Sequence, residues 1–335
     1  MKRLQWIDSA KGILILFVVL GHVVTAYQSA GYYTDNIIYN VVVRFAYSFH
    51  MAAFFFLSGY LYTYSKKPGV KHPIIKRLIS YGIPYIIFTI VYIAVKVVLS
   101  SFASNPITID EILWFWIKPL GYLWFLYALM LMEIIQDAFD GKIKPIVHVA
   151  IVSVIFFMNR YIGQWLSAFG YSDTIISKMF GYYIYFTIGK YYGSKIVERL
   201  SKLRFKWQTA IGLFALVVVG KEVATLLSVS EFAPVRLILA GGGIKATILM
   251  GMALEKSRLF VALGNATFPI YLLHDYPIVA ARIVLVSLIS DTFSVPLLII
   301  GTIVGCLLPW IALWVSRKIL HLDFVFFPGK YIKIK

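Results

Sequence analysis

The strongest constraint on this chain is a series of apolar runs, near 9–27, 37–64, 78–101, 121–138, 145–159, 178–194, 207–220, 235–254, 259–289 and 295–316. A spanning helix needs roughly 20 mostly apolar residues, so 335 residues joined by short connections have room for about ten spans. The composition agrees: 60% of residues are hydrophobic, 14% are charged, and the mean hydropathy is +0.82. A soluble domain with a charged surface does not reach those values. The predicted fold class is therefore an all-α polytopic membrane protein of about ten transmembrane helices. With no soluble segment, low-complexity tract or fixed-period repeat in view, residues 1–335 read as a single domain.

The net charge of +17 follows the loops. With the N-terminus inside, 22 of the 32 Lys and Arg residues fall on alternate, cytoplasmic segments. These begin with Lys2 and Arg3, continue with Lys66, Lys67, Lys71, Lys76 and Arg77, and end with Lys330, Lys333 and Lys335. The opposite face keeps five: Lys118, Arg160, Lys178, Lys221 and Arg236. That asymmetry is the positive-inside rule. It predicts that both termini are cytoplasmic, and it accounts for the basic balance without a nucleic-acid partner. The first span has basic residues ahead of it and no small-residue cleavage site after it, the pattern of a retained signal anchor. The lone Cys306 excludes a disulfide framework and reads as a small packing residue.

Five cations remain inside the spans: Lys11, Arg44, Lys96, Lys245 and Arg282. Each costs roughly 2.5–3.5 kcal/mol at a helix centre on insertion scales, less near the ends, where long side chains snorkel. Snorkelling accounts for Lys96. Lys245 lies mid-span after Gly241, Gly242 and Gly243, so it is either structural, paired with Glu133, or lines a polar cavity that Arg44 and Arg282 face from above. The histidines say more. His72, His148 and His321 fall at predicted cytoplasmic or interfacial positions, whereas His22, His50 and His274 fall within about two turns of the bilayer midplane in three different helices. A shared site is the functional reading; hydrogen-bonded histidines stabilising helix packing are the structural one.

Lys11 and His22 are separated by a whole number of turns to within about 20°, with about 16 Å of rise between them. Asp8 returns to within about 40° of the same line. One stripe of the first helix thus runs from a cation at its cytoplasmic edge to a titratable base deep in the bilayer. This suits a long anionic ligand held by its head, with its reactive end reaching inward.

The stretches WIDSAKGILILFVVLGH (Trp6 to His22), FHMAAFFFLSGYL (Phe49 to Leu61), KRLISYGIPY (Lys76 to Tyr85), LWFLYALM (Leu123 to Met130) and LGNATFPIYLLHDYP (Leu263 to Pro277) carry a resemblance. In their order and spacing they resemble the acyltransferase 3 family of integral-membrane acyltransferases, most closely its fucose 4-O-acetylase-like branch. The resemblance implies transfer of an acyl group, usually acetyl, from cytoplasmic acyl-CoA to a hydroxyl of a cell-surface or lipid-linked sugar. It implies acetyl-CoA as donor and no metal. The family's first-helix histidine maps onto His22, and its arginine maps onto Lys11, which keeps the charge but not a planar bidentate grip on phosphate. The basic pair after the second helix maps onto Lys76 and Arg77, and the late histidine onto His274. Ser58 and Gly59 read as helix-packing residues.

The expected site is therefore His22 and His274 for catalysis, Lys11, Lys76 and Arg77 for CoA, and His50, Arg44, Lys245 and Arg282 for the acceptor. A sugar hydroxyl is a poor nucleophile near neutral pH, and a neutral imidazole within reach is a natural general base; an acyl-histidine intermediate is the competing route. Trp114, Phe115 and Trp116 form an interfacial belt or stack on sugar rings. Expected partners are acyl-CoA, a glycan and membrane lipids, with homo-oligomerisation open, in a plasma membrane of the bacterial inner, cytoplasmic type. A transporter or glycan flippase is the second functional class that buried cations and interrupted spans allow, and an inactive partner subunit is the third.

Overall fold

The computed structural model describes residues 4–65, 72–98, 107–171, 173–288, 294–319 and 321–332. Of the loop cations counted above, Lys2, Arg3, Lys66, Lys67, Lys71, Lys333 and Lys335 lie outside the described residues. The described chain is helical, without strands: α1 (Gln5–Gln28), α2 (Ile37–Ser65), α3 (Pro73–Arg77), a π turn (Leu78–Gly82), α4 (Ile83–Val98), α5 (Ile109–Leu113), α6 (Trp124–Phe139), α7 (Pro145–Ala168), α8 (Ile175–Ser201), α9 (Lys206–Leu226), α10 (Ala233–Ala253), α11 (Arg258–Asn265), α12 (Thr267–Leu273), α13 (Asp275–Leu288) and α14 (Ser294–Lys318). Eight helical segments are long and apolar enough to cross a membrane, and a bent pair, α12 with α13, makes up to nine. The remaining expected segment, near 178–194, lies on α8. That helix is long enough at 27 residues, but Lys178, Lys190 and five tyrosines between 182 and 192 lower its apolarity. Expectation and structure agree on an all-α polytopic membrane protein.

The chain divides into two compact units, Met1–Phe54 with Ser194–Leu320 and Phe55–Gly193 with His321–Lys335; the boundaries fall inside α2 and α8. In the first unit, α1 is the buried axis. It is apolar on nearly every face, as a helix surrounded by others must be, and it contacts α10, α11, α13 and α14. Small residues permit this crowding, the usual solution where lipid removes a hydrophobic drive between helices. A Cβ at Gly264 would lie 1.8 Å from the Asp8 carbonyl oxygen, and one at Gly12 would lie 2.2 Å from that of Phe260. On α14, Gly301 and Gly305 form a GxxxG step against Val23 and Val19.

The second unit uses the same device where the later part of α2 meets α8. A Cβ at Gly59 would fall 1.9 Å from the Phe186 carbonyl oxygen, and one at Gly189 would fall 2.1 Å from that of Phe56. Gly59 is thus a packing residue, as expected from the sequence. Its neighbours Phe55, Phe56 and Phe186 are among the most buried side chains of the chain. Pro84 lacks the N–H that would bond the Ser80 carbonyl, and the chain widens into the π turn just before it.

Candidate functional site

The last motif, LGNATFPIYLLHDYP, contains the reason for the local geometry around His274. Proline removes a backbone donor and clashes with the carbonyl four residues back. Pro269 therefore breaks the helix at Asn265, between α11 and α12, and Pro277 breaks it at Leu273, between α12 and α13. At the second break the helix axis bends by 54°. His274 sits in this bend, fully buried. Its Nδ1 lies 2.8 Å from the Tyr271 carbonyl oxygen and 3.1 Å from that of Ile270. Those carbonyls can only accept, so Nδ1 carries the hydrogen and Nε2 holds the lone pair.

The His22 ring meets the His274 ring edge-on, with centroids 4.8 Å apart and planes at 79°. The Tyr47 ring lies 6.4 Å from that of His22 and 5.2 Å from that of His50. His50 is 3% exposed and donates from Nδ1 to the Ala46 carbonyl oxygen at 2.5 Å. The three histidines expected at one depth therefore belong to one cluster, His22 and His274 in direct contact and His50 joined through Tyr47. Sequence reasoning did not single out Tyr47. The available signal was its place three residues before His50, on the adjoining face of the same helix.

Lys11 and His22 are both partly exposed, but the stripe between them is not an open groove. Ile15 and Val18, which lie on that line, are 0% and 4% exposed. Near the Lys11 end of this line, the tight contacts of Gly12 and Gly264 hold the first half of α1 against α11.

The other expected acceptor residues take distinct places. Arg282 is buried and donates to the Ala26 carbonyl oxygen at 2.8 Å, a cation satisfying the last turn of α1. Arg44 forks onto Glu222 of α9, Nε to Oε1 at 2.9 Å and a terminal nitrogen to Oε2 at 2.5 Å. Lys245 is exposed, midway along α10. Glu133, the carboxylate considered above for Lys245, pairs with Arg77.

That ion pair belongs to a network in the second unit. The Arg77 guanidinium lies 2.6 Å from a Glu133 carboxylate oxygen and 3.1 Å from one of Asp137. Tyr62 donates to Asp137 at 2.5 Å, and Tyr81 to Glu133 at 3.2 Å. Lys190 pairs with Asp140 and lies over the Tyr62 ring. Lys76, next to Arg77, is partly exposed while Arg77 is buried. Sequence reasoning missed Asp137 and Asp140, although Glu133 and Asp137 at i and i+4 mark one acidic face on an apolar helix, with Asp140 just past its end. Of the aromatic belt, Trp114 and Trp116 are exposed and stacked on each other, with ring centroids 5.7 Å apart. Among the described residues no group of three or more His, Cys, Asp or Glu side chains is arranged to hold a metal ion.

The contact of His22 with His274 thus falls at the break of a bent helix pair that is long and apolar enough to span a membrane. Comparison with curated proteins and with solved structures returns no match. A family model described as an acyltransferase domain, Acyl_transf_3, matches residues 4–314, a span that includes the histidine cluster and the arginine network alike, and on that match the chain belongs to the acyltransferase 3 family.

Proposed function

We propose that the protein transfers an acyl group, in the simplest case acetyl, from cytoplasmic acyl-CoA to a hydroxyl of a cell-surface or lipid-linked sugar, in the manner of the fucose 4-O-acetylase-like branch. The observation that carries this reading is the contact of His22 with His274 at the bend between α12 and α13. His22 removes the hydroxyl proton as the acceptor oxygen attacks the thioester carbonyl. The carbon–sulfur bond then breaks, and the imidazolium returns the proton to sulfur, so CoA leaves as the thiol and no net proton is released. His274, its Nδ1 committed to two carbonyls, orients the His22 ring edge-on. Lys76 meets a CoA phosphate, while Arg77, engaged by Glu133 and Asp137, holds its segment on α6 beside Lys76.

The test is thiol release from acetyl-CoA by the purified protein in the presence of candidate glycans. His22→Gln keeps a hydrogen-bonding side chain but cannot accept the proton at useful pH, and it is expected to lower transfer by at least about 10²-fold. Retention of most activity in His22→Gln would show that another group is the base.

A further inference from the structure

Of the four rings in the histidine cluster, Tyr47 is the most exposed, at 40% against 3% for His50 and 0% for His274. Its place beside His22 depends on Gly21. A Cβ there would lie 2.6 Å from Cε1 of Tyr47, so the missing side chain lets the phenol ring lie against α1 one residue from the histidine. About one turn earlier on α2, Arg44 pairs with Glu222 of α9, their side chains 30% and 29% exposed, and residues three apart, as Arg44 and Tyr47 are, are neighbours on a helix surface. Because the guanidinium and the carboxylate neutralise each other, this rim offers hydrogen-bond donors and acceptors without net charge.

We propose that Tyr47 is the acceptor-side wall of the site, a platform for the apolar face of an uncharged sugar ring, with the Arg44–Glu222 pair at its rim. The assignment rests on the acyl-transfer reading above. An aromatic surface joined to a few placed polar groups is the usual composition of a site that must orient a neutral polar ligand. Tyr47 forms no bond in the reaction. It presents the acceptor hydroxyl to His22, so its contribution falls on acceptor binding rather than on donor binding. A rim of zero net charge also favours a neutral glycoside over an anionic one.

The experiment uses the full-length protein in detergent with acetyl-CoA, taking the methyl glycosides of glucose, fucose and N-acetylglucosamine as probes and methyl glucuronide as the charged control. Tyr47→Ala is expected to raise the glycoside KM at least about tenfold with the acetyl-CoA KM unchanged. Tyr47→Phe, which keeps the ring, restores most of that loss, and Gly21→Ala, which displaces the ring, reproduces the Ala phenotype. Where Tyr47→Ala does not fold, Tyr47→Leu replaces it with the same expectation. A glycoside KM equal to wild type in the Ala or Leu variant, or an equal rise in both KM values, overturns the role of Tyr47 and leaves the acyl-transfer reading intact. A wild-type protein that releases no thiol with any probe removes that reading and the role of Tyr47 with it.

Discussion

The polar interior of each unit is organised on a different principle. In the second unit, Arg77 and Lys190 meet carboxylates on and just past the end of α6, and tyrosines that donate to two of those carboxylates complete the network. In the first unit, the cluster at the centre consists of three imidazoles and a phenol, and two of the imidazoles are fixed by backbone carbonyls. A paired charge already meets its electrostatic demand and serves chiefly to hold helices together, whereas removing one partner leaves the other stranded. A ring that donates through Nδ1 leaves its second nitrogen as an acceptor. The two networks differ in kind, one of paired charges and one of imidazoles and a phenol, although both are built from residues that a membrane disfavours.

This contrast predicts opposite responses to truncation. The largest effect is on activity in the first unit: His22→Ala should lose at least about 10²-fold in transfer while its melting temperature and CoA binding stay near wild type, measured on the same purified sample. A variant that lost stability in step with activity would break the comparison. In the second unit, Arg77→Ala should destabilise by about 3–5 kcal/mol by stranding Glu133 and Asp137. This would be read as a large drop in melting temperature or in recovered folded protein, and normal stability would show that the network carries little. Gly264→Ala comes next. It forces a methyl group against the Asp8 carbonyl and should cost about 1–3 kcal/mol through overpacking, with transfer falling as α1 shifts; a chain that absorbs the methyl without loss would mean that the α1–α11 contact is slack. The smallest effect is expected for Lys76→Ala. It should raise the KM for acetyl-CoA severalfold with kcat nearly unchanged, as removal of binding common to ground and transition states does. An unchanged KM would remove Lys76 from the donor site and leave the two-network comparison standing.

The membrane class was legible because it depends on local chain chemistry. Long apolar runs need no tertiary information to demand a bilayer, and a proline acts on the carbonyl four residues back wherever it occurs in a helix. The break that receives His274 is therefore written into Pro277 three residues later. A common depth for His22, His50 and His274 could be counted along each helix, since the rise per residue is constant. Which cations stay exposed could not be counted. Arg44 meets Glu222 across 178 residues and Arg77 meets Asp137 across 60, and nothing near Arg77 in the sequence distinguishes it from Lys76, its partly exposed neighbour. The stripe from Lys11 to His22 is continuous on a single helix but closed at Ile15 and Val18 once α1 is surrounded. Helical periodicity determines which residues share a face; what covers that face is decided by how closely two backbones approach, and here Gly12 of α1 and Gly264 of α11 permit that approach.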